Sequence, residues 1–287
     1  LTEWAETLEY PPDGATFLNI LDTHDGVGLP GAEGILPPDE IAFLAETARR
    51  HGAFVSSRSA DGGEAPYEIN TTWYSALNLE NTGEPRPLQV QRFLASRSIA
   101  LALRGVPAIY LHSVLGTRNQ VALALETNVK RDVNRGTLDL EILQRHLADP
   151  GSKLHLLATA HRPLLRARVA TAAFDPRGAQ DVLRLSPGVF SLLRRSPAQH
   201  EHVVCLTNVT GIQQEVVVPT AELGIPAEPW YDLLGGRGWL ASGGRLRVRT
   251  RPSVSDQAPE HACRPESDGA RPRRCWVCGH GRAGRRG

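Results

Sequence analysis

Two short apolar runs separated by a long amphipathic segment constrain this chain most. Thr16–Leu21 (TFLNIL) and Val106–Leu111 (VPAIYL) have the length and continuous apolar character of buried strands. Leu88–Arg104 (LQVQRFLASRSIALALR) between them reads as a helix, with Gly105 where a C-cap glycine belongs. Strands that are apolar on both faces need cover on both faces, so strand, helix and strand in this order predict parallel pairing in an α/β sheet or barrel. After Ala148-Asp149-Pro150-Gly151, a helix from Ser152 to about Val169 completes a further β-to-α unit.

The stretch between residues 26 and 80 reads as an excursion from that pattern. A Gly/Pro-rich loop (Gly26–Gly34) leads to a helix near Pro38–His51, then to polar turns at Ser56–Glu64 and to Tyr67–Leu77. From Ala170 the texture changes to short β-rich runs: Val182–Leu185, Val189–Arg194, His202–Asn208, Gln213–Val218, Trp230–Leu233 and Arg245–Arg249. Such runs, spaced by turn residues, predict a small antiparallel β domain. The expected organisation is an α/β sheet or barrel over 1–169, which the resemblance described below makes part of a barrel, a β domain over 170–249 and a tail over 250–287.

The chain has 287 residues, 41% hydrophobic and 22% charged, enough for a sizeable core. No run approaches the ~20 apolar residues of a membrane helix, and the acidic start LTEWAETLEY has no apolar signal segment. Only Cys205 lies in the body, which excludes a disulfide scaffold and fits a cytoplasmic setting. There is no Met, even at position 1, so a fragment with its natural start upstream is expected.

Asp25 sits just past the predicted strand Thr16–Leu21, beside His24 and before Gly26. In a parallel barrel, that is where catalytic groups converge. A carboxylate and an imidazole there can bind sugar hydroxyls and stabilise developing oxocarbenium charge. The alternative is a loop Asp capping the next helix.

The string Phe17-Leu18-Asn19-Ile20-Leu21-Asp22-Thr23-His24-Asp25-Gly26-Val27-Gly28 resembles the fourth signature region of glycoside hydrolase family 13, the α-amylase family. Three further stretches in the expected order are similar to its branch of sucrose and glucosylglycerate phosphorylases. They are Pro66–Asn70 (PYEIN) with Trp73–Leu77 (WYSAL), Gly105–Gly116 (GVPAIYLHSVLG) and Thr127–Arg135 (TNVKRDVNR). The resemblance covers about residues 15–240 and implies the C-terminal part of a (β/α)8 barrel followed by a small antiparallel β domain. It implies that Asp25 stabilises the transition state and that His24 and Arg131 hold the glucosyl unit. An Arg fork suits a polyol or carboxylate, although an ion pair with Asp132 is the bland reading of Arg131. Tyr67 and Glu68 fall in a loop that borders the acceptor and phosphate subsite in sucrose phosphorylases. Those enzymes usually read Tyr-Gln there, whereas Tyr67-Glu68 looks more like the glucosylglycerate or glucosylglycerol enzymes. For Tyr67, a packed loop aromatic is the alternative.

The resemblance further implies a double displacement. An Asp nucleophile forms a glucosyl-enzyme, a Glu protonates the leaving group, and phosphate takes the glucosyl unit. No segment before Thr16 is long enough to carry those two carboxylates, so the polypeptide alone is expected to be inactive and aggregation-prone. The expected partners are a sugar substrate and inorganic phosphate, with no organic cofactor, required metal, nucleic acid or membrane. A hydrolase or transglucosidase of the same family is the near alternative.

The tail carries eleven Arg between residues 245 and 287 against four acids, on an otherwise mildly acidic body. Cys275-Trp276-Val277-Cys278-Gly279-His280, with His261 and Cys263 upstream, offers a zinc reading, and the Arg residues offer a nucleic-acid reading. A non-catalytic scaffold with such a binding tail is the second function class. The ligand spacing matches no standard finger, and the composition reads as a disordered or mis-framed tail.

Overall fold

The computed structural model describes residues 1–60, 63–225, 229–250 and 273–278. Up to residue 170 helices dominate. α1 (Thr2–Glu6) precedes β1 (Leu18–Asn19) and β2 (Val27–Gly28). Then come α2 (Pro38–Arg50), β3 (Phe54–Ala60), β4 (Gly63–Asn70), α3 (Trp73–Leu77) and α4 (Arg86–Ala102). β5 (Val106–Pro107), α5 (Leu111–Leu115), α6 (Val121–Thr127), α7 (Leu140–Ala148) and α8 (Lys153–Ala170) complete this part. After Ala170 come strands: β6 (Ala179–Ser186), β7 (Val189–Arg195), β8 (His202–Asn208) and β9 (Gln214–Val218). β10 (Trp230–Asp232), β11 (Gly238–Trp239), β12 (Leu246–Thr250) and β13 (Arg273–Cys278) follow.

The chain forms two compact units, and their division does not fall at residue 170. One holds Leu1–Asn19, Leu94–Pro107 and the described residues from Ala160 onward. In it β1 and β5 pair in parallel, Leu18 against Val106 and Asn19 against Pro107, as the apolar runs predict. The strands are shorter than those runs, because Leu111 already begins α5. Asn19 Nδ2 donates to the carbonyls of Ala100, Leu103 and Arg104 at 3.4, 3.1 and 3.3 Å, satisfying orphan acceptors at the end of α4.

Six strands in the order β11-β10-β13-β8-β7-β6 make the large sheet of this unit, with β12 and β9 paired separately. Leu193, Val204, Leu206, Val216, Val218, Trp230, Leu246 and Val248 form its core, each at most 1% exposed. Polar bonds join the sheet to α4, and α8 to the residue before β5, so the unit reaches back before residue 170. Ser98 and Thr207 hydroxyls lie 3.1 Å apart. Buried Arg194 donates to the carbonyls of Ala102 and Asp175 at 2.8 and 3.0 Å. Arg168 Nη2 donates to Gly105 O at 2.8 Å.

The strands between residues 170 and 249 pair antiparallel, and the sheet becomes mixed only through β13, which lies in the tail and runs parallel to both β8 and β10. The disorder expected of the tail is corrected for residues 273–278 alone: average composition hid a short run with β-branched and aromatic residues that suits a strand. Of the zinc reading, His261, Cys263 and His280 lie outside the described residues.

The second unit holds Ile20–Phe93 and Ala108–Thr159. The sequence places its main helix well: α2 opens with Pro38, carries Asp39 and Glu40 in its first turn and ends on Arg49 and Arg50. Where polar turns are expected at Ser56–Glu64, the described residues up to Ala60 and from Gly63 are instead strand, in a three-stranded antiparallel sheet of order β2-β4-β3. An exposed hairpin rich in Ser, Arg and Glu lacks the apolar alternation that announces a strand. Tyr67 and Glu68 therefore sit on β4 and not in a loop. Among the described residues no helix is long and apolar enough to cross a membrane.

Candidate functional site

The site lies in the second unit, on the loop that follows β1. Asp22 is 3% exposed and accepts from the Ser113 hydroxyl through both oxygens, at 2.7 and 2.6 Å. That buried bond ties the loop to α5. Thr23 Oγ1 accepts from the Asp25 amide at 3.0 Å, and Asn134 Nδ2 donates to Thr23 O at 2.9 Å. Gly26 has φ +106°, a backbone state that L side chains rarely adopt. A Cβ there would lie 2.7 Å from Ile69 O and 3.1 Å from Glu68 Oε1. Glycine after Asp25 thus lets the loop lie directly against β4.

His24 and Asp25 line a cavity of about 260 Å³ with Ile20, Thr23, Ala108, Ile109 and Tyr110. An apolar wall with a few convergent polar groups suits a small ligand. Tyr110 donates to Asn134 O at 3.0 Å, and its phenol pKa is raised by burial.

Asp25 is held from three directions. Its Oδ1 takes Arg131 Nη1 at 3.2 Å and Arg135 Nη2 at 2.9 Å, while Oδ2 faces His24 Nε2 at 3.3 Å. Arg135 Nε also donates to His24 O at 2.9 Å. One carboxylate oxygen is fixed by two guanidiniums, and the other is turned to the imidazole. Asp25 is no helix cap: the short 3-10 turn that follows, Pro30–Ala32, has no side-chain cap bond.

Arg131 pairs with Glu68 and Asp25, not with its neighbour Asp132. Its Nε and Nη2 grip Glu68 at 3.1 and 2.9 Å as a bidentate fork. The Glu68 hydrogen bond and charge raise the Arg131 pKa. Both Arg131 and Arg135 come from the turn Lys130–Asn134 and the residue just after it.

Four of the five candidates thus meet: His24 and Asp25 in the cavity, Arg131 on Asp25, and Glu68 behind Arg131. Tyr67 stands 41% exposed on β4 and is not part of the cavity wall. Sequence reasoning missed Arg135, whose role is defined by contacts with His24 and Asp25 that are distant in sequence. It also missed Asp22, Ser113 and Tyr110, all within the quoted stretches. No group of three or more His, Cys, Asp or Glu among the described residues could hold a metal.

No family model matches the chain. It is 39% identical over 221 residues to glucosylglycerate phosphorylase of Spirochaeta thermophila, covering 77% of this chain and 37% of that protein. It is 38% identical over 216 residues to glucosylglycerate phosphorylase of Allomeiothermus silvanus, covering 75% and 38%. Among solved structures, sucrose 6F-phosphate phosphorylase from Thermoanaerobacter thermosaccharolyticum superposes with a TM-score of 0.52 at 23% identity. That match covers 62% of this chain and 34% of that chain, and it speaks to a shared fold of mixed helices and sheets. The chain is therefore similar to the phosphorylase branch that its motifs resemble, and it spans less than two-fifths of the curated relatives it matches.

Proposed function

We propose that this chain is the C-terminal part of an α-glucosyl phosphorylase that acts on glucosylglycerate or a close analogue in the cytoplasm. It supplies the last two βα units of a (β/α)8 barrel and the β domain after Ala170. The observation that carries the reading is the Asp25 carboxylate in an apolar-walled cavity, clamped on one oxygen by Arg131 and Arg135 and flanked by His24. The similarity to glucosylglycerate phosphorylases supports it.

Each side chain then has a task. The Oδ2 of Asp25 and the His24 imidazole hold glucosyl hydroxyls, and the Asp25 charge stabilises the oxocarbenium-like transition state. Arg131 and Arg135 keep that carboxylate oriented before the sugar arrives, which removes an ordering cost from the reaction. Tyr67 borders the acceptor. A retaining glycosyl transfer needs a nucleophile and a general acid beyond Asp25. In this reading both come from barrel strands outside this chain, and the chain alone is inactive. Leu18 and Val106, 64% and 44% exposed on the parallel pair β1 and β5, support a sheet that continues in the whole enzyme.

Substitution at Asp25 tests the assignment. In the complete enzyme, Asp25→Asn lowers kcat/KM by roughly a hundred- to a thousandfold, the scale of losing a preorganised electrostatic partner. A loss below about fivefold removes Asp25 from the mechanism.

A further inference from the structure

Glu68 is buried, with its side chain 8% exposed, and the Arg131 guanidinium engages both of its carboxylate oxygens. A free acceptor hydroxyl thus meets a carboxylate already committed. Around Asp25 the charges alternate: Glu68 negative, Arg131 positive, Asp25 negative, Arg135 positive. The four cancel, although an enzyme that hands a sugar to phosphate has to receive an anion beside them. Lys130, next in the turn, is turned away to Val55 O at 3.1 Å.

We infer that Glu68 is a positioning residue that acts through Arg131: it holds the guanidinium against Asp25 and cancels its charge, setting how strongly the site attracts anions. This rests on the glucosyl phosphorylase reading for its biological meaning and on the ion-pair geometry for its physics. The Glu68 carboxylate lies behind the fork, so its charge reaches a ligand only as a deduction from Arg131. A site tuned this way releases an anionic product or leaving group, a hydroxy acid or a sugar phosphate, instead of trapping it.

Removing the Glu68 charge without changing its shape leaves the cluster of Arg131, Asp25 and Arg135 with one net positive charge. At ~6 Å and an effective dielectric near ~40, one unit charge changes anion affinity roughly tenfold. Isothermal titration of the complete enzyme containing this chain with inorganic phosphate, and separately with uncharged glycerol, reads this directly. Glu68→Gln is expected to tighten phosphate binding roughly tenfold with glycerol unaffected, and Glu68→Asp to stay within about twofold of the parent. Adding Arg131→Gln to Glu68→Gln is expected to cancel the gain. Arg131→Gln alone, at a half-exposed side chain, is expected to weaken phosphate below the parent, and it keeps the test decisive if Glu68→Gln does not fold. Unchanged or weaker phosphate binding in Glu68→Gln overturns the inference, as does a gain that survives loss of Arg131 or an absence of phosphate binding in every protein. No turnover is measured, so failure of the phosphorylase reading appears separately, as absent phosphorolysis with the charge effect intact.

Discussion

His161 predicts an acid sensitivity that a single substitution abolishes. It lies on α8, 2% exposed, and its Nε2 has no hydrogen-bond partner among the described residues. Burial first, and the charge of Arg97 second, lower its pKa from 6.5 to about 4. The folded chain thus keeps the imidazole neutral, while the unfolded chain protonates it near pH 6.5. Between those values the unfolded state binds more protons, so stability falls as pH falls from 6.5 to 4. About 2.5 pKa units at 1.36 kcal/mol each amount to roughly 3 kcal/mol lost by pH 4. His161→Leu keeps the volume and removes the proton site. Urea unfolding by circular dichroism at low protein concentration, at pH 7 and pH 4, separates this contribution from that of the carboxylates, which both proteins share. The parent is expected to lose roughly 3 kcal/mol more than the variant. Equal losses refute the reasoning, and so does an NMR titration of His161 near its ordinary value.

Gly26→Ala is expected to destabilise by roughly 2–3 kcal/mol in urea unfolding. The left-handed backbone alone costs an L residue about 1–2 kcal/mol, and the new methyl lies against Ile69 O. Leu193→Ala, fully buried in the sheet core, is expected to cost about 2–5 kcal/mol by the same assay. Lys153 Nζ donates to Gly116 O and sits 4.5 Å above the Tyr74 ring. Burial lowers its pKa from 10.5 to about 8, so its charge opposes folding below pH 8, and stability climbs as pH rises from 8 towards 10.5. Lys153→Met is expected to flatten that rise in thermal melts. Light scattering of the isolated chain is expected to show self-association, with a cooperative monomeric melt as the contrary result.

The sequence was legible where periodicity and punctuation agree. The parallel pair β1 and β5 follows from two apolar runs, and α2 from a proline-acid start with an arginine end. Most strands after Ala170 were found because β-rich runs alternate with Gly, Pro and Asn. The β3–β4 hairpin was not, since its exposed residues are polar on both faces and mimic turns. β13 escaped because its six residues sit in an Arg-, Gly- and Pro-rich surround that dominates any average. In the site, His24 and Asp25 are marked by their place after an apolar run, whereas Arg135 is defined by a contact 110 residues away in sequence. Local spacing cannot announce such a partner. Glu68 shows the same limit: its identity was plain, but its burial against Arg131 depends on how closely Gly26 lets the loop approach β4.

The central claim is that this chain serves an enzyme transferring glucosyl units to phosphate. The most direct measurement incubates the complete enzyme containing it with α-glucosylglycerate, with and without inorganic phosphate, and follows glucose 1-phosphate and free glucose. Glucose 1-phosphate and glycerate are expected in equal amounts only when phosphate is present. Free glucose released at the same rate without phosphate, or no cleavage in either condition, contradicts the claim.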